Sequence, residues 1–153
     1  AGYIQKLFSF EEVTRYADVK IHTSLKDAEN TLKVFLMENN MAWTIFTAKE
    51  KSFAGIILVL GINQRHKFGS FASAVLPEFM SKGIISKAHK MVADYCFTKT
   101  DLHRLESQIY ENHIAAEKML IKSGMRFEGI LRENFFIAGK FENSRVYSVL
   151  KGE

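Results

Sequence analysis

Apolar residues recur along this chain in two rhythms, and the switches between them mark the expected elements. Phe10, Val13, Tyr16 and Ala17 share one helical face, and after a break Leu25, Ala28, Leu32, Phe35 and Leu36 do the same, with Ser24 at the N-cap and Asp27 three positions on. Two N-terminal helices are expected. Met41 to Ala48 mixes Trp, Ile, Phe and Thr at strand-like spacing, Lys49 to Ser52 is polar, and Phe53 to Ile62 is nearly continuous apolar. That is a hairpin leading into a central strand. A further strand from about Lys67 to Leu76 stops at Pro77, and a short loop then ends at Gly83. The helix beyond it carries Ile84, Ala88, Met91, Val92, Tyr95 and Cys96 on one side, with Lys87, Lys90 and Asp94 between them. A strand from Arg104 to Tyr110, a helix from His113 closed by Gly124, and two long strands joined at Ala138, Gly139 and Lys140 complete the chain. The order read from the pattern is ααββββαβαββ, an α+β fold with a mixed, mostly antiparallel sheet flanked by helices.

Composition narrows the class without naming a function. At 153 residues the chain is one domain, and 47% hydrophobic with 25% charged residues and a single proline excludes a disordered or collagen-like polymer. The longest apolar run is about half the ~20 residues a membrane span needs, and no signal-like segment opens the chain. With one cysteine, Cys96, there is no internal disulfide, and a cytoplasmic setting is expected. Cys96 itself falls on the apolar helix face and reads as core. Five histidines show no metal-ligand spacing, so no metal is expected. A net charge of +4 favours anionic partners such as a phosphorylated cofactor, an acidic polypeptide or nucleic acid. The segment "HKFGSFAS" lacks the glycine and aromatic positions of an RNA-binding strand, which argues against the last.

Three segments carry a resemblance. "SAVLPEFMSKGIISKA", the long run "RLESQIYENHIAAEKMLIKSGMRFEGILRENFFIAGKFENSRVYSVL", and the Trp43 and Ile45 pair resemble the GCN5-related N-acetyltransferase (GNAT) superfamily, in the branch of the ribosomal-protein alanine acetyltransferases. The similarity runs from Phe8 to Leu150. It implies a single N-acetyltransferase domain, acetyl-CoA as acyl donor, and direct attack by a primary amine in a ternary complex. It also implies a missing start, because family members open with a strand and a longer first helix, whereas "YIQKLFSFEEVTRYAD" looks like the end of that helix and the short one after it. Either the chain is trimmed, or it is a naturally short member whose sheet edge another chain protects, with a homodimer as one option.

The loop before Ile84 has an independent physical claim on an anion. Backbone N–H groups at a helix start point outward, and the helix dipole adds about half a positive charge there. The resemblance assigns the diphosphate to Ser81, Lys82, Gly83, Ile84 and Ile85, and pairs the pantetheine arm with backbone amides of Val75 and Leu76. Where the family pattern has Gln or Arg, two residues, Gly, one residue and Gly, this chain has Glu78, then Ser81, and keeps Gly83. Lys82 and Lys87 offset the added carboxylate. An asparagine that touches the arm aligns with His113 without a gap and with Asn112 after a one-residue shift; each is also a candidate helix N-cap.

For the chemistry, Glu106 stands where the family has a glutamate. Two readings are open: it draws a proton from the amine through water, or it merely pairs with Arg104 or a neighbouring strand. The slots of the family's proton donors hold Ala116 and Leu120, which cannot donate. Tyr110 is the substitute acid, with Tyr147 behind it, although buried tyrosines more often serve the core. A protein N-terminus is the first acceptor expected and a small-molecule amine or antibiotic the second, while the positive net charge argues against a polyamine. The alternative to an enzyme is a degenerate acyl-CoA binder, for which Ala116, Ser81 and Glu78 are the signs.

Overall fold

A computed structural model describes residues 1–17, 19–137 and 139–153, so Asp18 and Ala138 lie outside the described residues and the expected final turn is seen at Gly139 and Lys140. Three helices open the chain where the pattern indicated two: α1 (Gly2–Leu7), α2 (Glu11–Thr14) and α3 (Leu25–Phe35). α1 hides Ile4 and Leu7, too few positions to declare a period. α2 stops after four residues, with the Thr14 hydroxyl within 3.3 Å of the Phe10 and Glu11 carbonyls, so Tyr16 and Ala17 fall beyond it. α3 starts as its capping pair requires: Asp27 donates its N–H to Ser24 Oγ at 3.3 Å and accepts from the Ser24 N–H at 2.8 Å.

Three strands, not four, precede the next helix, because one segment is both the second hairpin arm and the central strand. They are β1 (Met41–Phe46), β2 (Phe53–Asn63) and β3 (Phe68–Val75), followed by α4 (Ile84–Lys99), β4 (Arg104–Tyr110), α5 (Ile114–Lys122), β5 (Arg126–Ile137) and β6 (Lys140–Leu150). The six strands lie in the order β1-β2-β3-β4-β6-β5, antiparallel throughout except between β3 and β4. β2 is apolar on both sides because helices cover both. Ile57 and Val59 face a core shared with Phe71, Val92, Leu105 and Tyr147, while Ile56 and Leu58 face Leu7, Phe35 and Leu76. This is the α+β arrangement expected.

The buried face of α4 overlaps the apolar stripe only in part. Met91 and Tyr95 are 62% and 46% exposed, whereas Ser86 and His89 are buried beside Val92, Ala93 and Cys96. The helix is turned so that two polar residues point inward, and hydrophobic period alone cannot register that. Cys96 is fully buried as expected, and burial pushes its thiol up to about 11.

The sheet has one irregularity that shapes the site. β3 and β4 share only three rungs, Phe68↔Arg104, Gly69↔Leu105 and Ser70↔Glu106, yet β3 continues to Val75 and β4 to Tyr110. Past Ser70 and Glu106 the strands run on for five and four residues, about 17 and 13 Å at ~3.3 Å per residue, without pairing to each other. The sheet forks.

Candidate functional site

The fork exposes backbone polar groups that a continuous sheet would consume. Leu76 gives its N–H to the Ala54 carbonyl at 2.8 Å, which makes Gly55 and Val75 a non-hydrogen-bonded pair of the β2–β3 ladder. Strand alternation then turns the N–H and C=O of Val75, and of Ser73 two residues earlier, away from β2 and toward the fork. Of the two amides assigned to a pantetheine arm, Leu76 is already engaged and Val75 faces the opening.

At the mouth of the fork, a 3-10 turn over Pro77–Phe79 leads to Ser81 and Gly83, both at positive φ (59° and 74°). Gly83 is the N-cap of α4 and makes no side-chain cap, and among the described residues no side chain accepts from the first-turn amides of Ile84, Ile85 and Ser86. Lys82 lies over the Phe79 ring, 5.5 Å from its centroid. A second cation comes from a different helix. A Cβ built on Gly83 would sit 3.4 Å from Lys122 Nζ, at the end of α5. The helices are held together there by the Ser86 hydroxyl, which donates to the Met119 carbonyl at 3.3 Å. Lys122 was not among the expected residues. Its only signal in sequence is a lysine in the last turn of a helix, which the dipole alone would explain.

At the apex of the fork sits Glu106, with its side chain only 17% exposed. Arg104 donates to its Oε2 from Nε at 3.3 Å and Nη2 at 3.1 Å, and the Ser70 hydroxyl donates to Oε1 at 3.4 Å. Arg104 also holds Glu128 through two bonds of 2.5 and 2.6 Å, and Ser148 Oγ donates to Glu128. The guanidinium and the serine hydroxyl hold the Glu128 carboxyl down at about 2. The pairing of Glu106 with Arg104 is therefore real, and it leaves Oε1 with one long bond. Two carboxylates share one guanidinium at this point.

The expected acids are not beside that base. Tyr110 is four residues along β4, about 13 Å away at ~3.3 Å per residue, with its ring 4.7 Å from that of Phe135 and 5.7 Å from that of Tyr16. Tyr147 points to the opposite face, where its hydroxyl donates to Glu117 at 2.7 Å and Arg145 donates to the same oxygen at 2.8 Å. Burial, then Glu117, raise its pKa. Ala116 is half-buried and Leu120 is core. His113 is the N-cap residue of α5 but makes no side-chain cap bond; its ring stacks on Tyr16 at 3.8 Å, and desolvation lowers its pKa. Asn112 is exposed and precedes the cap.

The resemblance implied a mixed sheet and a diphosphate site at the start of α4; the structure adds the fork, and comparison with known proteins decides the matter. The family model described as "Acetyltransferase (GNAT) domain" matches residues 1–126. This chain belongs to the GNAT acetyltransferase family. The GNAT domain is 26% identical over 148 residues to the uncharacterized N-acetyltransferase YoaA of Bacillus subtilis, covering 94% of this chain and 84% of that one. It is 32% identical over 91 residues to the spermidine N(1)-acetyltransferase of Escherichia coli, covering 60% and 49%. The structure of the Vibrio cholerae spermidine N-acetyltransferase in complex with CoA and spermine superposes with a TM-score of 0.85 at 22% identity, covering 98% and 89%, which shows the shared fold. The GNAT domain is accordingly an N-acetyltransferase with acetyl-CoA as its acyl donor. The ribosomal-protein alanine branch is compatible with these relatives and is not decided by them.

Proposed function

We propose that this GNAT domain acetylates a small-molecule primary amine, with polyamines the first acceptors, in a ternary complex built on the β3–β4 fork. The observation that carries the reading is the fork itself: it ends at a paired glutamate on the inside and at an uncapped helix start with a flanking lysine on the outside. The outer end suits a diphosphate. Ile84, Ile85 and Ser86 offer amides, Gly83 brings no side chain to the place of close approach, and Lys122 and Lys82 supply charge. Val75 offers its backbone to the pantetheine arm.

At the inner end a free amine attacks the thioester carbonyl carbon; the C–N bond forms, the C–S bond breaks, and its electron pair goes to sulfur. The proton lost by nitrogen passes through water to Glu106 Oε1, the less engaged oxygen. With Ala116 and Leu120 in the donor slots, the thiolate leaves without a protein acid, tolerable for a thiol whose pKa is near ~8.5.

The choice of acceptor rests on relatives and local charge together. Curated relatives from Escherichia coli and Vibrio cholerae are named spermidine N(1)-acetyltransferases. Net charge, which disfavours a polycation, counts lysines over the whole surface, whereas attraction depends on the potential where the acceptor docks. There, Glu106 and Glu128 surround the single Arg104.

The test is calorimetric titration with acetyl-CoA and CoA, followed by an acceptor panel of spermidine, simple alkylamines and peptides with free N-termini. Binding of both coenzymes, with kcat/KM for spermidine at least ~10-fold above the peptides, is expected. A preference for peptides overturns the acceptor, and binding without turnover on any amine makes the chain a degenerate binder. Lys122→Ala should weaken CoA about tenfold, as expected when a charge-assisted hydrogen bond is removed, and should flatten the salt dependence of binding. Unchanged affinity at low ionic strength would remove Lys122 from the site.

A further inference from the structure

The buried polar face of α4 has no part in the acetyl-transfer scheme. His89 is 2% exposed, its ring lies against Phe71 (centroids 4.4 Å apart, planes 29° apart), and its Nε2 is 3.0 Å from Ser73 Oγ. Its other nitrogen, Nδ1, is buried with no hydrogen-bond partner among the described residues. Burial brings the ring's pKa down to about 4, so at neutral pH it carries one proton, on one nitrogen or the other.

The two tautomers are not equivalent. With the proton on Nδ1, a buried N–H is left with nothing to bond, and orphaned buried donors are rarer in proteins than under-satisfied acceptors. With the proton on Nε2, the unpaired atom is only a lone pair, and Nε2–H donates to Ser73 Oγ. That second arrangement has a consequence for Ser73. Its oxygen accepts from His89, and its own O–H has no acceptor among the described residues. Ser73 is only half-buried, and it lies on the unpaired stretch of β3, two residues inward from Val75 and three outward from the apex rung at Ser70.

We propose that the Ser73 hydroxyl, oriented by His89 Nε2–H, is the hydrogen-bond donor for the acyl carbonyl oxygen of the bound thioester. The inference rests on the reading of the fork as the acetyl-CoA cleft. With the diphosphate at the mouth, the arm runs inward past Val75 between β3 and β4, and its acyl end reaches the gap that Glu106 faces from one side of the sheet and Ser73, on the α4 side with Ile57, faces from the other. Ser73 transfers no proton. Its hydrogen bond strengthens as negative charge gathers on the carbonyl oxygen during attack and relaxes when the amide product forms. His89 is a positioning residue: it touches neither substrate and fixes which way the hydroxyl points.

The acetyl carbonyl is present in acetyl-CoA and absent from CoA, so equilibrium binding isolates it. The wild type should bind acetyl-CoA roughly three- to tenfold more tightly than CoA, the size of one neutral hydrogen bond. Ser73→Ala should bind CoA as the wild type does and lose that preference, with kcat reduced ~10-fold or more. Ser73→Thr, which keeps the hydroxyl, should retain it. His89→Ala should also lose the preference, and His89→Gln, whose amide N–H falls near the Nε2 position, should restore part of it. Imidazole nitrogen shifts in the NMR spectrum should report the Nε2–H tautomer in the free protein. If both coenzymes bind and Ser73→Ala keeps the wild-type preference, or the wild type has none, this inference fails while the cleft stands. If neither coenzyme binds the wild type, the cleft reading fails first and takes this one with it.

Discussion

A folded Gly83→Asp protein should lose CoA affinity by ~100-fold or more. Three effects act at one position. The residue sits at φ 74°, and a Cβ there costs about 1 kcal/mol in backbone strain. The new carboxylate would stand at the start of α4, where the amides of Ile84, Ile85 and Ser86 await an anion, and would repel a diphosphate from the same place. It would also capture Lys122, whose ammonium lies 3.4 Å from where the aspartate Cβ would be. That new ion pair offsets part of the strain, so the variant should fold, with circular dichroism and melting close to wild type. The diphosphate would then be deprived of two charge-assisted interactions at once, and at ~1.5–3 kcal/mol each these correspond to the predicted drop. Titration with CoA is the check, and an unchanged affinity would show that the diphosphate lies elsewhere.

Glu106→Gln should separate binding from turnover. Glutamine keeps the shape and one acceptor oxygen but cannot take a proton at neutral pH, so kcat should fall by ~10²-fold, within the range of general base catalysis, while acetyl-CoA affinity stays within ~2-fold. The structure explains why the fold survives. Arg104 loses one carboxylate charge but keeps its two bonds to Glu128, so no buried cation is left unpaired. Steady-state kinetics with spermidine alongside titration of acetyl-CoA gives both numbers. Wild-type turnover in this variant would assign Glu106 to the ion pair alone and leave positioning and carbonyl polarisation to carry the rate.

Spacing and residue type by themselves determined the fold class, the bounds of most strands and the position of the helix start at Gly83. Those features follow from local rules: period 2 against period 3.6, a Ser24–Asp27 capping pair, a proline after β3 and a glycine able to take positive φ. The resemblance carried by three segments of the chain added the family and its donor. What local rules could not reach is how many rungs two strands share. Nothing in Ser70 or Glu106 announces that β3 and β4 part immediately after them, because the pairing is set by residues 36 positions apart and by the helices laid on each side. The same holds for the choice between Val75 and Leu76, which the Ala54 carbonyl makes, and for the neighbours of Glu106, since Glu128 arrives from a strand 22 residues later. Lys122 and His89 were hidden for a related reason. A lysine in a last helical turn and a histidine among apolar residues each have an ordinary local explanation, and only the packing of α4 against α5 and β3 brings one to the mouth of the fork and buries the other against Ser73.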